Sequence, residues 1–198
     1  MRVLYIAFAF ILLSFFGCNS SGNGTAGSAD GAKTPAAVAA RQPAKSKLNE
    51  AGTSLLMTVV GKYYALKNAL VATKAARADS AAAQLLATAD SMQAFLMTDT
   101  ANKIALKPFL DTIINQSKMV SSVTDETCEK KRIYFGSISS AIYGLVKSAD
   151  LKNAGIYHEY CPMAFNEKGA YWLSDESEIK NPYFGKKMME CGEVTDSL

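Results

Sequence analysis

The C-terminal part of the chain contains a group of side chains that can bind soft metal ions. Six sulfur or imidazole donors lie between positions 158 and 191, namely His158, Cys161, Met163, Met188, Met189 and Cys191. Such ligands favour Cu(I), and they suit Zn(II) less well, through Cys161, Cys191 and His158 as three ligands. Because the two cysteines lie far apart and form no CxxC motif, only folding could bring them together. The sequence therefore predicts a soft-metal site in this segment.

The sequence leaves two other states open for Cys161 and Cys191. An oxidising compartment would join them in a disulfide, which would stabilise a loop-rich segment by roughly 3 to 4 kcal/mol. Alternatively, both could remain inert thiols. A disulfide and a metal site that uses both thiolates exclude each other at any one moment, and reduction would convert the first into the second.

The start of the chain predicts export. An apolar run over 3–16 follows one basic residue and is too short to span a bilayer. Gly17 and Cys18 follow it directly and resemble the lipobox of bacterial lipoproteins. The resemblance implies that 1–17 is a signal peptide and that Cys18 carries the lipid, so that 18–50, rich in Ala, Gly and Ser, forms a flexible tether. We expect a periplasm-facing protein anchored to a bacterial membrane, the outer rather than the inner one.

Four stretches between positions 53 and 147 have apolar residues at spacings of three and four, which predicts four amphipathic helices. The apolar positions are Leu56, Val59, Tyr63, Leu66, Leu70, Ala82, Leu85, Ala89, Met92, Leu96, Leu106, Leu110, Ile113, Val120, Phe135, Ile138, Ile142 and Leu145. Short connections favour antiparallel neighbours, so we expect an all-α domain over 51–198 built on an up-down four-helix bundle. Pro108 is expected in the first turn of the third helix, where a missing N–H does little harm.

The helical period ends near residue 155, where glycine, proline and aromatic residues begin to alternate with single charges. Pro162 and Pro182 exclude a long helix there. We expect 155–198 to form an irregular, aromatic-rich flap, which could contain a short strand or hairpin. Trp172, the only tryptophan, is expected to anchor this flap by burial.

Composition argues against several functions. The formal net charge is +3, and the charges are scattered, so no face predicts nucleic-acid binding. His158 and Cys161 would point to opposite faces of an extended segment, which excludes a Cys-His nucleophile formed by this pair. The sequence contains no glycine-rich phosphate loop and no serine elbow. We therefore expect a protein that is not an enzyme.

Three stretches of the C-terminal segment carry a family resemblance. They are Tyr160–Asn166 (YCPMAFN), Lys168–Asp175 (KGAYWLSD) and 179–194, which contains NPYFG and CGEV. They resemble an uncharacterised domain family of bacterial envelope lipoproteins, which is also appended to some heavy-metal, copper-type efflux adaptor proteins. The resemblance implies Cys161, Met163, Met188 and Cys191 as candidate metal ligands, and a metal efflux adaptor as a candidate partner.

Two functions follow as hypotheses. In the first, a membrane-tethered periplasmic protein binds or hands over a soft transition metal ion, copper above others, in heavy-metal handling. In the second, the domain is a non-catalytic interaction module of the envelope, stapled by a Cys161–Cys191 disulfide. The membrane, through the lipid anchor, is a partner in both.

Overall fold

The computed structural model describes residues 42–198. The predicted signal peptide, Cys18 and the tether up to residue 41 lie outside the described residues. No helix within 42–198 combines the length and the apolar character that a bilayer crossing requires.

Four long helices, consecutive in the chain, pack each against the next. They are α1 (Glu50–Val71), α2 (Ala75–Phe95), α3 (Thr100–Ser122) and α4 (Glu129–Ser148). All the apolar positions of the four predicted helical stripes are buried, because spacings of three and four place them on one side of each helix. The predicted up-down four-helix bundle is confirmed.

Polar side chains cap the starts of α1 and α3. Asn49 Oδ1 accepts a hydrogen bond of 2.9 Å from Gly52 N before α1, and Asp99 Oδ1 accepts one of 3.1 Å from Asn102 N before α3. Each cap satisfies a backbone N–H that has no partner within its helix. Before α4, Cys128 is buried in a left-handed conformation with a φ of 63°.

The expectation for Pro108 is wrong. The third helix begins at Thr100, so Pro108 lies well inside it. A proline there cannot donate to the carbonyl of Ile104, four residues earlier. The Ile104 side chain is 72% exposed, so this part of the helix faces solvent and water can replace the missing donor.

Residues 42–49 pack against the end of α4, although they fall within the range 18–50 that the sequence assigns to the tether. Lys45 and Lys152 exchange two backbone hydrogen bonds, of 3.0 and 2.8 Å. Lys47 N donates to Ala149 O at 3.0 Å. The packed part of the chain therefore begins before residue 51.

The C-terminal segment forms a small antiparallel sheet where the sequence predicts an irregular flap with room for a strand or hairpin. Its strands are β1 (Tyr157–Cys161), β2 (Ala170–Ser174) and β3 (Glu193–Ser197), in the order β2-β1-β3. The central strand therefore pairs with both of the others.

Strand β2 lies against the bundle. Tyrosine hydroxyls form hydrogen bonds with backbone groups at its unpaired edge. Tyr63 Oη accepts a hydrogen bond of 3.0 Å from Leu173 N, and the hydroxyl of Tyr183 donates to Tyr171 O. The opposite edge strand, β3, is exposed along its whole length. A bulge interrupts its pairing with β1 between His158 and Glu159, a device that discourages pairing with a further strand.

Candidate functional site

The structure brings Cys161 and Cys191 together as a disulfide. Cys161 ends β1, and Cys191 lies in the turn before β3, with their Cα atoms 5.8 Å apart. Cys161 is fully buried, whereas Cys191 is partly exposed. The sequence leaves three states open for these cysteines, namely a metal site, a disulfide and free thiols. In this structure they form the disulfide.

The turn that contains Cys191 is held by Asn181, which is fully buried. Asn181 Nδ2 donates to Cys191 O at 2.6 Å, and Asn181 N donates to Met189 O at 2.7 Å. Asn181 Oδ1 accepts from Tyr183 N at 2.7 Å and from Phe184 N at 3.2 Å. Asn181 therefore fixes the turn at Cys191 to the preceding segment through its side-chain amide and its backbone N–H.

Gly192 allows this turn to lie directly on the tryptophan. A Cβ atom at Gly192 would come within 2.7 Å of Trp172 Cη2 and within 2.8 Å of Tyr160 O. Gly192 also has a φ of 148°, which side-chain-bearing residues rarely adopt. Trp172 is fully buried beneath the turn, at the position where the sequence predicts an anchor.

His158 lies away from the two cysteines. Its ring is stacked between Tyr143 and Tyr171, with centroid distances of 4.0 and 4.7 Å. Its Nδ1 is 3.2 Å from Thr195 Oγ1, and burial lowers its pKa below the usual value. Because side chains alternate along a strand, His158 and Cys161 point to opposite faces of β1. The structure does not bring them together as joint ligands.

The two predicted methionine ligands lie near the disulfide in sequence but are largely at the surface. Met163 follows Cys161 by two residues and is 48% exposed. Met188 is partly exposed, and its carbonyl accepts a hydrogen bond of 3.3 Å from Cys191 N. Within 42–198, no group of three or more His, Cys, Asp or Glu side chains is arranged to hold a metal ion.

A buried polar cluster lies on the inner face of the sheet, against α1. Lys67 is almost fully buried, and its Nζ donates to Ser174 Oγ at 2.9 Å and lies 3.4 Å from Asp175 Oδ1. Glu159 is fully buried and pairs across the strands with Trp172. Both Glu159 oxygens and Trp172 Nε1 have no hydrogen-bond partner among the described residues. Burial raises the pKa of Glu159 to about 7, although the Lys67 ammonium group opposes this shift.

On the outer face of the sheet, four adjacent rings form a continuous row, which we call the aromatic ladder. The first three rings are stacked, and the last is tilted by 36° to its neighbour. The rings follow the order Tyr143, His158, Tyr171, Tyr160, with neighbouring centroids 4.0, 4.7 and 4.5 Å apart. The first ring comes from α4 and the others from β1 and β2. Tyr171 is 46% exposed. The ladder therefore presents a fixed aromatic surface at the junction of sheet and bundle.

Sequence reasoning missed Glu159 and Lys67, although weak signals for both exist. Lys67 follows Tyr63 by four residues and precedes Leu70 by three, which places it on the buried stripe of α1. Glu159 precedes Cys161 by two residues, so it shares the face of a strand with that cysteine. The signal for Glu159 can be used only once the C-terminal segment is known to contain a strand.

A family model described as "Protein of unknown function (DUF3347)" matches residues 59–154. The match runs from within α1 to just beyond α4, so it covers most of the helical bundle and stops before the sheet. Comparison with the curated proteins and with the solved structures found no match to this chain.

Proposed function

We propose that this chain is a non-catalytic interaction module of the bacterial envelope, tethered to the membrane and facing the periplasm. Its docking surface is the aromatic ladder, and its disulfide is a staple that keeps the sheet in place. The observation that carries the proposal is the row of four adjacent rings, which is held on a small sheet and has Tyr171 nearly half exposed.

The ladder has the properties of a binding surface because its rings are already ordered. Tyr143 comes from a helix of the bundle, and the other three rings come from paired strands, so little conformational entropy remains to be lost on binding. Tyrosine side chains are frequent hot spots of protein interfaces, since they offer a large apolar area and a hydroxyl group. An envelope protein with an apolar or aromatic patch would fit this surface.

The resemblance of the C-terminal motifs to domains of copper-type efflux adaptors favours an efflux adaptor as the partner. No nucleic acid is expected to bind, since charges of both signs are scattered over the sequence. The proposal includes no chemical step.

Photo-crosslinking in intact cells tests this function. A photoreactive amino acid replaces Tyr171 in one full-length variant and Ile104, which is 72% exposed on α3, in the control. We expect position 171 to crosslink to one envelope protein and position 104 not to do so. The purified partner should then bind the Tyr171→Ser variant at least tenfold more weakly than wild type and the Ile104→Ser variant normally. Equal crosslinking at both positions, or normal binding by Tyr171→Ser, would contradict the proposal.

Soft-metal binding is a second candidate function, and the meeting of Cys161 and Cys191 favours it. After reduction, a Cu(I) ion that bound both sulfurs would hold the two residues together again, with Met163 and Met188 as nearby thioethers. His158 is less suited to the site, because it lies on the opposite face of β1. Zn(II) fits this sulfur-only set less well than Cu(I).

Titration of the reduced full-length protein with Cu(I), against a competing chelator, tests this second candidate. Wild type should bind one ion far more tightly than the Cys161→Ser/Cys191→Ser variant, while Cys128→Ser should match wild type. The same affinity in wild type and in the double variant would exclude the site.

A further inference from the structure

The two sulfur atoms of the disulfide belong to residues of very different accessibility. Cys161 is fully buried at the end of β1, whereas Cys191 is partly exposed in the turn before β3. Thiol–disulfide exchange requires a thiolate to reach one sulfur in line with the bond that breaks. The geometry therefore favours attack at Cys191, with Cys161 as the leaving group.

The segment that the disulfide holds has few other apolar attachments. All of β3 is exposed, and a bulge interrupts its pairing with β1. Asn181 binds the turn through two hydrogen bonds, to Met189 O and Cys191 O. At the far end, Leu198 and Ile156 exchange backbone hydrogen bonds of 3.1 and 2.8 Å, which keep the end of the chain in place.

Polar groups without partners lie directly under this segment. The turn at Gly192 covers Trp172, and Glu159 faces Val194 across the strands. The indole N–H and both carboxylate oxygens have no hydrogen-bond partner among residues 42–198. Because buried polar groups gain hydrogen bonds when water reaches them, these groups lower the cost of opening the turn once the covalent link is broken.

We infer that Cys161–Cys191 is a reversible redox site, which a dithiol reductant opens by attack on Cys191, and that opening lifts residues 188–195 off Trp172. The reductant thiolate bonds to Cys191 Sγ and forms a mixed disulfide, while the bond to Cys161 breaks and Cys161 leaves as a thiolate. The second thiol of the reductant then displaces Cys191, so the reductant ends as a disulfide. Two electrons and two protons pass to the two cysteines. This redox site does not depend on the proposed docking partner, because every change occurs within the chain.

Fluorescence and hydrogen exchange of the full-length protein in detergent test the opening. Dithiothreitol is the reductant, and Trp172, the only tryptophan, reports on the turn. Reduction should shift the Trp172 emission to the red and speed amide exchange over 188–195 at least tenfold, with exchange in the four long helices unchanged. Reoxidation should reverse both effects. Cys128→Ser, which retains the disulfide, should behave as wild type in every step.

Two results would overturn the inference. If the reduced protein keeps the emission and the exchange rates of the oxidised one, the segment does not open. If reduction also speeds exchange throughout the helices, the disulfide is a structural staple for the whole domain rather than a local redox site.

Trapping of the mixed disulfide tests which sulfur is attacked. A thioredoxin-type protein whose resolving cysteine is replaced by serine should become linked to Cys191, as peptide mapping would show. A link to Cys161, or no link under conditions in which dithiothreitol reduces the bond, would refute attack through Cys191. This experiment uses the wild-type chain and does not depend on the folding of a cysteine variant.

Discussion

At the scale of single residues, Glu159 links stability to pH. Its fully buried carboxyl group has a pKa raised by burial from the ordinary 4.5 to about 7. Between these two pH values the folded protein holds a proton that the unfolded chain releases. The stability that this proton contributes is therefore fully present below about pH 4.5, and it is lost as the pH rises through 7.

We predict that Glu159→Gln removes this pH dependence. Wild type should lose on the order of 3 kcal/mol of unfolding free energy from this group between the two pKa values, because each unit of pKa difference corresponds to about 1.4 kcal/mol. The variant should lose this fall, and its stability should instead rise as the pH increases through 6.5, because burial lowers the pKa of His158 in the folded protein. Urea unfolding at a series of pH values from 4.5 to 8 measures both.

Glu193→Gln is the matched control, because Glu193 is a carboxylate of the same sheet but is exposed. It should keep the wild-type slope. A wild-type slope in Glu159→Gln would show that another group causes the dependence.

In the C-terminal segment, residue type predicts which side chains are buried, whereas the spacing of residues in the sequence does not predict which of them meet. The burial of Trp172 follows from its size and was predicted correctly. The state of Cys161 and Cys191 stayed open, because the register of β1, β2 and β3 sets their distance, and no local pattern encodes that register. The same register places His158 in the aromatic ladder. Its position three residues before a cysteine in the sequence does not predict this placement.

At the scale of elements, Arg132 of α4 connects three other parts of the fold. Its Nε donates to Pro182 O at 2.8 Å, and its Nη1 donates to Thr127 O at 2.7 Å. Its Nη2 donates to Leu70 O and to Thr73 Oγ1, both at 3.0 Å. The guanidinium group is nearly buried and thus ties the end of α1, the turn before α4 and the C-terminal segment together.

We predict that Arg132→Leu lowers the unfolding free energy by about 3 kcal/mol, because buried carbonyl groups lose their donors and cannot reach water. Thermal and urea unfolding measure the loss. Lys130→Leu, on the exposed side of the same helix, should change stability by less than about 0.5 kcal/mol. An Arg132→Leu variant as stable as the control would show that water replaces these hydrogen bonds.

The elements differ in how far the sequence predicts them. The long helices were predicted well, since each repeats its apolar period over several turns. The start of α3 is not, because Pro108 is expected near a helix end and instead lies inside the helix, where Ile104, four residues earlier, is exposed to solvent. Each strand has only five residues, too few for an alternating pattern to stand out from an irregular segment.

At the scale of the whole molecule, the bundle and the sheet share one core. Phe135 of α4 packs on Tyr183, with centroids 5.7 Å apart, and Tyr63 of α1 is hydrogen-bonded to both Ser139 and β2. The family model ends at residue 154, before the sheet. The sheet nevertheless covers side chains that the bundle alone would expose.

We predict that a chain ending at residue 154 keeps its helices but not its fixed packing. Far-UV circular dichroism should show helical content, whereas the thermal transition should be broad and a hydrophobic dye should bind, as in a molten globule. A chain ending at residue 187, which lacks β3 and the disulfide but keeps Tyr183 and β2, is the control and should still melt cooperatively. A sharp transition in the shorter chain, at the temperature of the full protein, would show that the bundle is independent of the sheet.

The two backbone hydrogen bonds between Lys45 and Lys152 determine which contacts would first bear a force that pulls on the preceding chain. Tension applied at residue 42 would meet this pair and the Lys47–Ala149 hydrogen bond before it reached the first turn of α1. These few bonds would break before the force reached the helices, so they would act as a mechanical fuse between the preceding chain and the bundle. On the proposal that the preceding segment is anchored to a membrane, the anchor could pull on the domain without disrupting its core.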